Sequence, residues 1–262
     1  MKTDSIRHVL LYVYLAALIV FIFAPIVANL VFSFNAARFP TLPLAGFTTH
    51  WYEEIFNDGR LVQGLKNSLM VSGATAFIAT FLGFSAAYID YRYRFIGRTA
   101  FLALVTLPPT IPVVILGLGM LSFQSSVGLL GTIPGIVTAH VVYCAPFALA
   151  LTRMRLASLD PSVEPAAWNL GATQGSTMTS IIIPHCAPAI LAAFFLTAAV
   201  SFDEFMIAYF ISGYNQTLPV HVLTMLEGQV SPRVNAIGSV VFMFTIAMVV
   251  LAQVLMFRRR ST

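Results

Sequence analysis

Residues Val9–Phe34 read VLLYVYLAALIVFIFAPIVANLVFSF, twenty-six positions without a charged side chain. Roughly 20 consecutive apolar residues carry an α-helix across the hydrocarbon core of a bilayer. In that medium the segment must satisfy its own backbone amides, which a helix does and an isolated strand does not. The run is too long for the core of a signal peptide and is read as a retained helix. Five more runs of the same kind follow: Leu65–Tyr88, Thr99–Phe123, Leu130–Leu151, Ala187–Ile211 and Ala236–Phe257. None shows the alternation of an outer-membrane barrel strand. The expected fold class is therefore all-α: a polytopic membrane protein with six transmembrane helices, forming one membrane domain over residues 1–262.

Composition agrees. The chain is 58% hydrophobic and only 9% charged, with a mean hydropathy of +0.87. A soluble domain carries about a quarter charged residues to cover its wet surface. This excludes a soluble enzyme, a disordered chain and a nucleic-acid binder. Cys144 and Cys186 lie in or beside apolar runs, outside any Cys-x-x-Cys or Cys/His cluster, and read as small buried hydrophobes.

The net charge of +4 reports orientation rather than an anionic partner. One set of connections carries Lys2, Arg7, Arg92, Arg94, Arg98, Arg153, Arg155 and Arg258–Arg260; the other carries Arg38, Arg60, Lys66 and Arg233. With six spans, all the basic connections fall on one side, which puts both termini in the cytoplasm. Arg258–Arg260 read as an anchor at the lipid headgroups.

Two loops are long. Asn35–Gly64 holds Trp51, Tyr52, Ile55 and Phe56 among Glu53, Glu54 and Asp58, the pattern of a short amphipathic helix at the membrane interface. The inner loop, 153–184, is too polar to span. Asp160 and Pro161 give a cap and a first-turn proline. Ala166, Ala167, Trp168 and Leu170 follow at helical spacing, and Gly171 permits the left-handed turn that ends a short helix. A second short amphipathic helix leads to Pro184, which opens the fifth span. Two short helices about a glycine turn on the basic side make a docking knob.

Here the sequence resembles a family. Ala166, Ala167, Gly171, Ile181, Ile183 and Pro184 stand at the spacing of the loop signature of ABC-importer permeases, Glu-Ala-Ala-x3-Gly-x9-Ile-x-Leu-Pro. Pro165 occupies the signature's glutamate position and Glu164 precedes it. Either Glu164 substitutes through a shifted helix start, or that carboxylate contact is absent. Ser33-Phe34-Asn35 with Arg38-Phe39, Gly46-Phe47-Thr48-Thr49 with Trp51-Tyr52, and Tyr91 to Phe95 resemble the second permease subunit of spermidine/putrescine ABC importers. So do Ser201-Phe202-Asp203-Glu204, Thr217-Leu218-Pro219, and Ser231-Pro232 with Asn235-Ala236. The resemblance implies a type I importer permease of MetI-like fold in a bacterial inner membrane. It also implies a second homologous permease, an ABC ATPase dimer, and a periplasmic or lipid-anchored binding protein that delivers substrate. Closely similar permeases import other small solutes.

The chain has no Gly-x4-Gly-Lys-Ser/Thr loop to cradle a nucleotide. It is read as a transport subunit rather than an enzyme, with no cofactor of its own; ATP and Mg belong to the partner ATPase. The knob Glu164–Gly171, with Ile181 and Pro184, is the expected ATPase contact, with Trp168 and Leu170 as apolar anchors.

Asp203 and Glu204 lie inside the fifth run, where a carboxylate costs about 2.5–3.5 kcal/mol and so marks a function. Adjacent helical residues point apart. On one continuous helix Glu204 shares a small, polar stripe with Ala193, Thr197, Ser201, Ala208 and Ser212, making it the stronger pathway candidate. Tyr143 and Tyr209 offer aromatic faces to an ammonium. Leu107-Pro108-Pro109-Thr110-Ile111-Pro112 breaks the third span and frees carbonyls toward a cavity or a neighbour. His140, alone in the fourth span, reads as a hydrogen-bonded packing residue. An ion-gradient-driven secondary transporter accommodates the acids but leaves the loop signature without a role. A membrane-embedded enzyme lacks both a metal-ligand cluster and a nucleophile–base pair.

Overall fold

The computed structural model describes residues 2–37, 43–228 and 232–258 of the 262; Arg38, Phe39, Ser231, Arg259 and Arg260, named above, lie outside the described residues. Twelve α-helices are described: α1 Lys2–Phe32, α2 His50–Asn57, α3 Gly59–Arg92, α4 Arg98–Thr106, α5 Val113–Val127, α6 Ile133–Leu156, α7 Val163–Asn169, α8 Gln174–Thr177, α9 Ile183–Asp203, α10 Met206–Ile211, α11 Leu218–Gly228 and α12 Pro232–Arg258. A 3-10 turn, Pro108–Thr110, lies between α4 and α5, and a π turn, Met178–Ile182, joins α8 to α9. Among the described residues, β pairing is confined to a bridge between Asn35 and Phe47. Among the described residues, five segments are long and apolar enough to cross a membrane: Arg7–Phe32, Gly59–Arg92, Ile133–Leu156, Gln174–Asp203 and Pro232–Val250.

Two expected spans differ in form. Thr99–Phe123 is realised as α4, the 3-10 turn and the shorter apolar helix α5, because three prolines between Leu107 and Pro112 cannot donate to a helical ladder. The run Ala187–Ile211 ends as a helix at Asp203, and a separate helix, α10, begins at Met206.

The chain divides into two compact units. One comprises Met1–Val62 with Val222–Phe244. In it, Asn29 donates to the Asn235 carbonyl (3.2 Å) and to Ser239 Oγ (3.3 Å). Such amide contacts join apolar helices where the surroundings are lipid. The expected interfacial helix is α2. The Trp51 indole donates to the Asn35 carbonyl (2.7 Å), the Tyr52 and Ser33 hydroxyls are 2.7 Å apart, and Ile55 is buried. Arg233 pairs with Asp58 (2.9 Å) and Glu54 (3.4 Å). Burial pushes the Asp58 carboxyl up, but the Arg60 amide and the Arg233 guanidinium together hold it below the ordinary carboxylate range.

The other unit, Gln63–His221 with Thr245–Thr262, holds the loop and the acids of interest. Along α3, Val71, Ala76, Ala79 and Ala87 are fully buried, whereas Met70, Phe77 and Phe81 are exposed. Small residues face the neighbouring helices and large ones face outward, the arrangement that lets helices approach closely in lipid. At Gly83 the approach to α6 is close: an added Cβ would stand 2.6 Å from Ala148 Cβ. α6 runs along α9, and α5 lies against α10. Val71, Ile136, Val137, Val141, Ile207 and Ile211 form one apolar cluster, with Tyr143 and Phe210 against it. Ala87, Leu149, Leu156, Ile182 and Cys186 form another nearer the inner loop. Both cysteines are free and buried, as small hydrophobes are.

Candidate functional site: an outward-facing short helix and a broken membrane helix

The inner loop is built by caps. Asp160 Oδ1 accepts from the Ser162 amide (2.8 Å) and hydroxyl (2.7 Å), which holds the exposed Asp160 carboxyl below its ordinary range. This turn delays the helix start that the Asp-Pro pair suggested, so α7 begins at Val163. α7 ends as Gly171 requires. Gly171 takes φ 87°, Ala172 N donates to the Ala167 carbonyl (3.0 Å), and Gly171 N donates to the Trp168 carbonyl (2.9 Å). These are the two bonds of a Schellman closure. Thr173 then caps α8, its Oγ1 accepting from Ser176 N (3.1 Å). From there the chain passes through the π turn into α9 without a gap, so Pro184 sits in the first turn of α9 rather than opening a separate span.

The side chains of α7 divide by face. Pro165, Ala166, Leu170 and Gly171 are exposed, Leu170 to 90%. Ala167 and Trp168 are half-buried and Glu164 is buried. Glu164 Oε2 stands 2.9 Å from Arg92 Nε, and the Arg92 guanidinium lies 4.5 Å from the centre of the Trp168 ring. The Trp168 ring face is thus covered within its own chain, its buried indole N–H has no hydrogen-bond partner there, and Leu170 is left exposed. Ile181 is half-buried and Pro184 exposed.

Beside this contact is one that the sequence reading missed. Asp90, buried near the end of α3, receives Arg98 Nε from the start of α4 (2.5 Å) and Arg153 Nε from the end of α6 (2.7 Å). Arg155 Nε donates to the His185 carbonyl on α9 (2.9 Å). The arginines counted for orientation therefore also tie helix ends together. A lone acid among so many arginines was the available signal.

The intramembrane acids are separated by the break in the fifth run. Glu204 leaves helical geometry, with ψ 117°, and its carboxylate turns onto the start of α10, accepting from Ile207 N (3.0 Å) and Ala208 N (3.1 Å). Ser201 Oγ lies 2.8 Å from His140 Nδ1, and His140 Nε2 lies 3.5 Å from Glu204 Oε2. His140, Ser201 and Glu204 are all buried. The stripe of Ala193, Thr197, Ser201, Ala208 and Ser212 is likewise buried within the chain rather than turned to a lumen. A helical wheel groups these residues only along one continuous helix, and the break at Glu204 removes that premise. Asp203 is exposed, as is Tyr209, whose ring lies 5.7 Å from that of Phe205; Tyr143 is half-buried beside Phe147.

Residues 79–260 match the family described as binding-protein-dependent transport system inner membrane component. The chain is 29% identical over 236 residues to the spermidine/putrescine transport system permease protein PotC of Haemophilus influenzae, covering 90% of this chain and 91% of that one. It is 33% identical over 229 residues to the putrescine transport system permease protein PotI of Escherichia coli K12, covering 84% and 81%. Among solved structures, a chain of a bacterial ABC transporter involved in the import of the acidic polysaccharide alginate superposes with a TM-score of 0.78. It covers 98% of both chains at 18% identity, which speaks for a shared fold.

Proposed function

The chain belongs to the family of binding-protein-dependent transport system inner membrane components and is a permease subunit of an ABC importer; on that premise we propose that it carries polyamines, with the exposed face of α7 as the seat of its ATPase. It forms the pathway with a second, homologous permease. A periplasmic or lipid-anchored binding protein delivers the substrate, and a pair of ATPase subunits holds ATP and Mg. Both termini face the cytoplasm, following the distribution of arginine and lysine.

The observation that carries the docking proposal is the division of α7. A short helix closed at its C-terminal end by Gly171 leaves Pro165, Ala166, Leu170 and Gly171 exposed, and its opposite face is held to α3 by Glu164 and Trp168. Alanine and glycine allow close approach, and burying an exposed leucine in an apolar socket is favourable. Ile181 and Pro184 continue the contact toward α9. Nucleotide-driven closure of the ATPases then moves α7 and the helices fastened to it.

The polyamine reading rests on relatives that match nearly end to end and on the exposed carboxylate of Asp203. An ammonium leaving water needs an anionic or aromatic partner, and the partner must hold it weakly enough for release. Asp203 offers the anion, and Tyr209 and Tyr143 offer aromatic faces. Glu204 takes the role of a cap for α10 beside that route.

The test uses the reconstituted complex with its loaded binding protein. Gly171→Val places a branched side chain at φ 87°, a strained conformation, and Leu170→Asp puts a charge on the docking face. Both are expected to lower ATPase association and labelled spermidine uptake together. Normal association and uptake in both variants would reject the docking face. Uptake that unlabelled spermidine or putrescine does not compete would reject the substrate.

A further inference from the structure

The end of α3 carries two opposite charges two residues apart, and each is committed to a different neighbour. Asp90 joins the start of α4 through Arg98 and the end of α6 through Arg153. Arg92 joins α7 through Glu164 and Trp168. The Glu164 side chain is only 4% exposed and that of Arg92 33%, so the pair is shielded on one side and wet on the other. Arginine suits the position chemically. Its guanidinium pairs with a carboxylate along its edge while its face lies on an indole, and a lysine ammonium reproduces only the charge.

We propose that Arg92 is a positioning residue for energy coupling: it locks α7 to α3, so that a displacement imposed on α7 reaches α3 directly and, through Asp90, α4 and α6 together. The inference rests on the reading of α7 as the ATPase seat and adds the route by which force leaves it. It also answers the question left by Pro165 in the loop signature. Glu164 points into its own chain and serves as the strut between the docking helix and the membrane helices, rather than as a contact to the ATPase. Without Arg92, α7 keeps the Asp160 turn before it and the Gly171 closure after it, but it pivots independently of α3. Coupling terms of this kind change the linked equilibrium by roughly two- to thirtyfold.

The experiment measures two quantities on the complete complex: ATPase association, and substrate molecules imported per ATP hydrolysed. In Arg92→Gln, association is expected to persist and the import ratio to fall roughly three- to thirtyfold. Arg92→Lys should fall less, because the charge on Glu164 remains answered while the stacking on Trp168 is lost. The exchange Arg92→Glu with Glu164→Arg should recover part of the ratio lost in either single reversal. An unchanged ratio in Arg92→Gln would overturn the proposal. So would loss of association in Arg92→Lys, which would make Arg92 part of the docking face itself. Leu170→Asp is the companion measurement. If it and Gly171→Val both leave association intact, the docking reading fails; if it abolishes association while Arg92→Gln leaves the import ratio unchanged, the docking reading stands and the strut alone is lost.

Discussion

Two helices of the membrane unit are interrupted, and they are interrupted by different means. Between α4 and α5 the chain spends three prolines in five positions. Few amides remain to be satisfied there, and a 3-10 turn absorbs them: Thr110 N and Oγ1 both donate to the Leu107 carbonyl, at 2.9 and 2.7 Å. Between α9 and α10 there is neither proline nor glycine. The amides released at Ile207 and Ala208 are buried, and a side chain, the Glu204 carboxylate, answers them. The first break follows from backbone chemistry and survives most side-chain changes. The second depends on one residue, and removing that residue exposes its cost.

Glu204→Ala is therefore the most damaging single change at either break. It strips the cap from two buried amides and leaves the His140 and Ser201 pair without its neighbour. Loss of a cap costs about 0.5–2 kcal/mol, and each buried donor left unsatisfied about 1–3 kcal/mol. Allowing for partial relaxation, we expect the complex to lose about 2–4 kcal/mol, read as a clear drop in melting temperature in detergent. Glu204→Gln keeps one acceptor oxygen and should retain much of that stability. An unchanged melting temperature in Glu204→Ala would break the contrast between the two interruptions, because the second would then need no cap.

Next in size is the effect of Asp203, which sharpens the contrast by separating the two adjacent acids. Asp203 is exposed and Glu204 buried. Asp203→Asn is expected to lower uptake of a polyamine about tenfold, the equivalent of one charge-assisted contact of about 1.5 kcal/mol, with the melting temperature preserved. Glu204→Gln should leave uptake nearly unchanged, its small effect falling on stability. Equal effects of both changes on uptake, at equal stability, would mean that the two carboxylates share one role and that the division by burial is irrelevant to transport.

What the sequence discloses follows the same division. Hydropathy and proline carry backbone information, so the membrane helices, the proline break, the left-handed Gly171 and the short helices of the inner loop are all legible. Interactions decided by tertiary contact are not. A helical wheel groups Glu204 with Ala208 and Ser212 only if residues 201–212 form one helix; the release of the chain at Glu204 is a choice its side chain makes possible, and no local residue announces it. The pairings of Asp90 and Arg92 are hidden for a related reason, although a lone acid among arginines hints that Asp90 is paired. Arginines at a membrane boundary are read for orientation, and nothing in their spacing tells that Arg98 and Arg153 converge on one acid or that Arg92 lies over Trp168. Even the loop signature, which located α7, did not tell which of its side chains face outward. Trp168 turns in and Leu170 turns out, an outcome fixed by the partner waiting at the end of α3.

The smallest expected effect is at the proline break. In Pro109→Ala, residue 109 gains an amide that the 3-10 turn can accommodate, while Pro108 and Pro112 still forbid a continuous ladder from α4 to α5. The helix therefore stays broken. The substitution removes a constraint on the unfolded chain, which costs about 0.4–1 kcal/mol when the native backbone suits proline, and nothing in this break rests on the lost ring as α10 rests on Glu204. The expected result is a melting temperature lowered slightly and uptake altered less than by Asp203→Asn. A loss of stability as large as that of Glu204→Ala would show that the first break, too, depends on a single residue, and the distinction between a break made by backbone chemistry and one made by a side chain would fall.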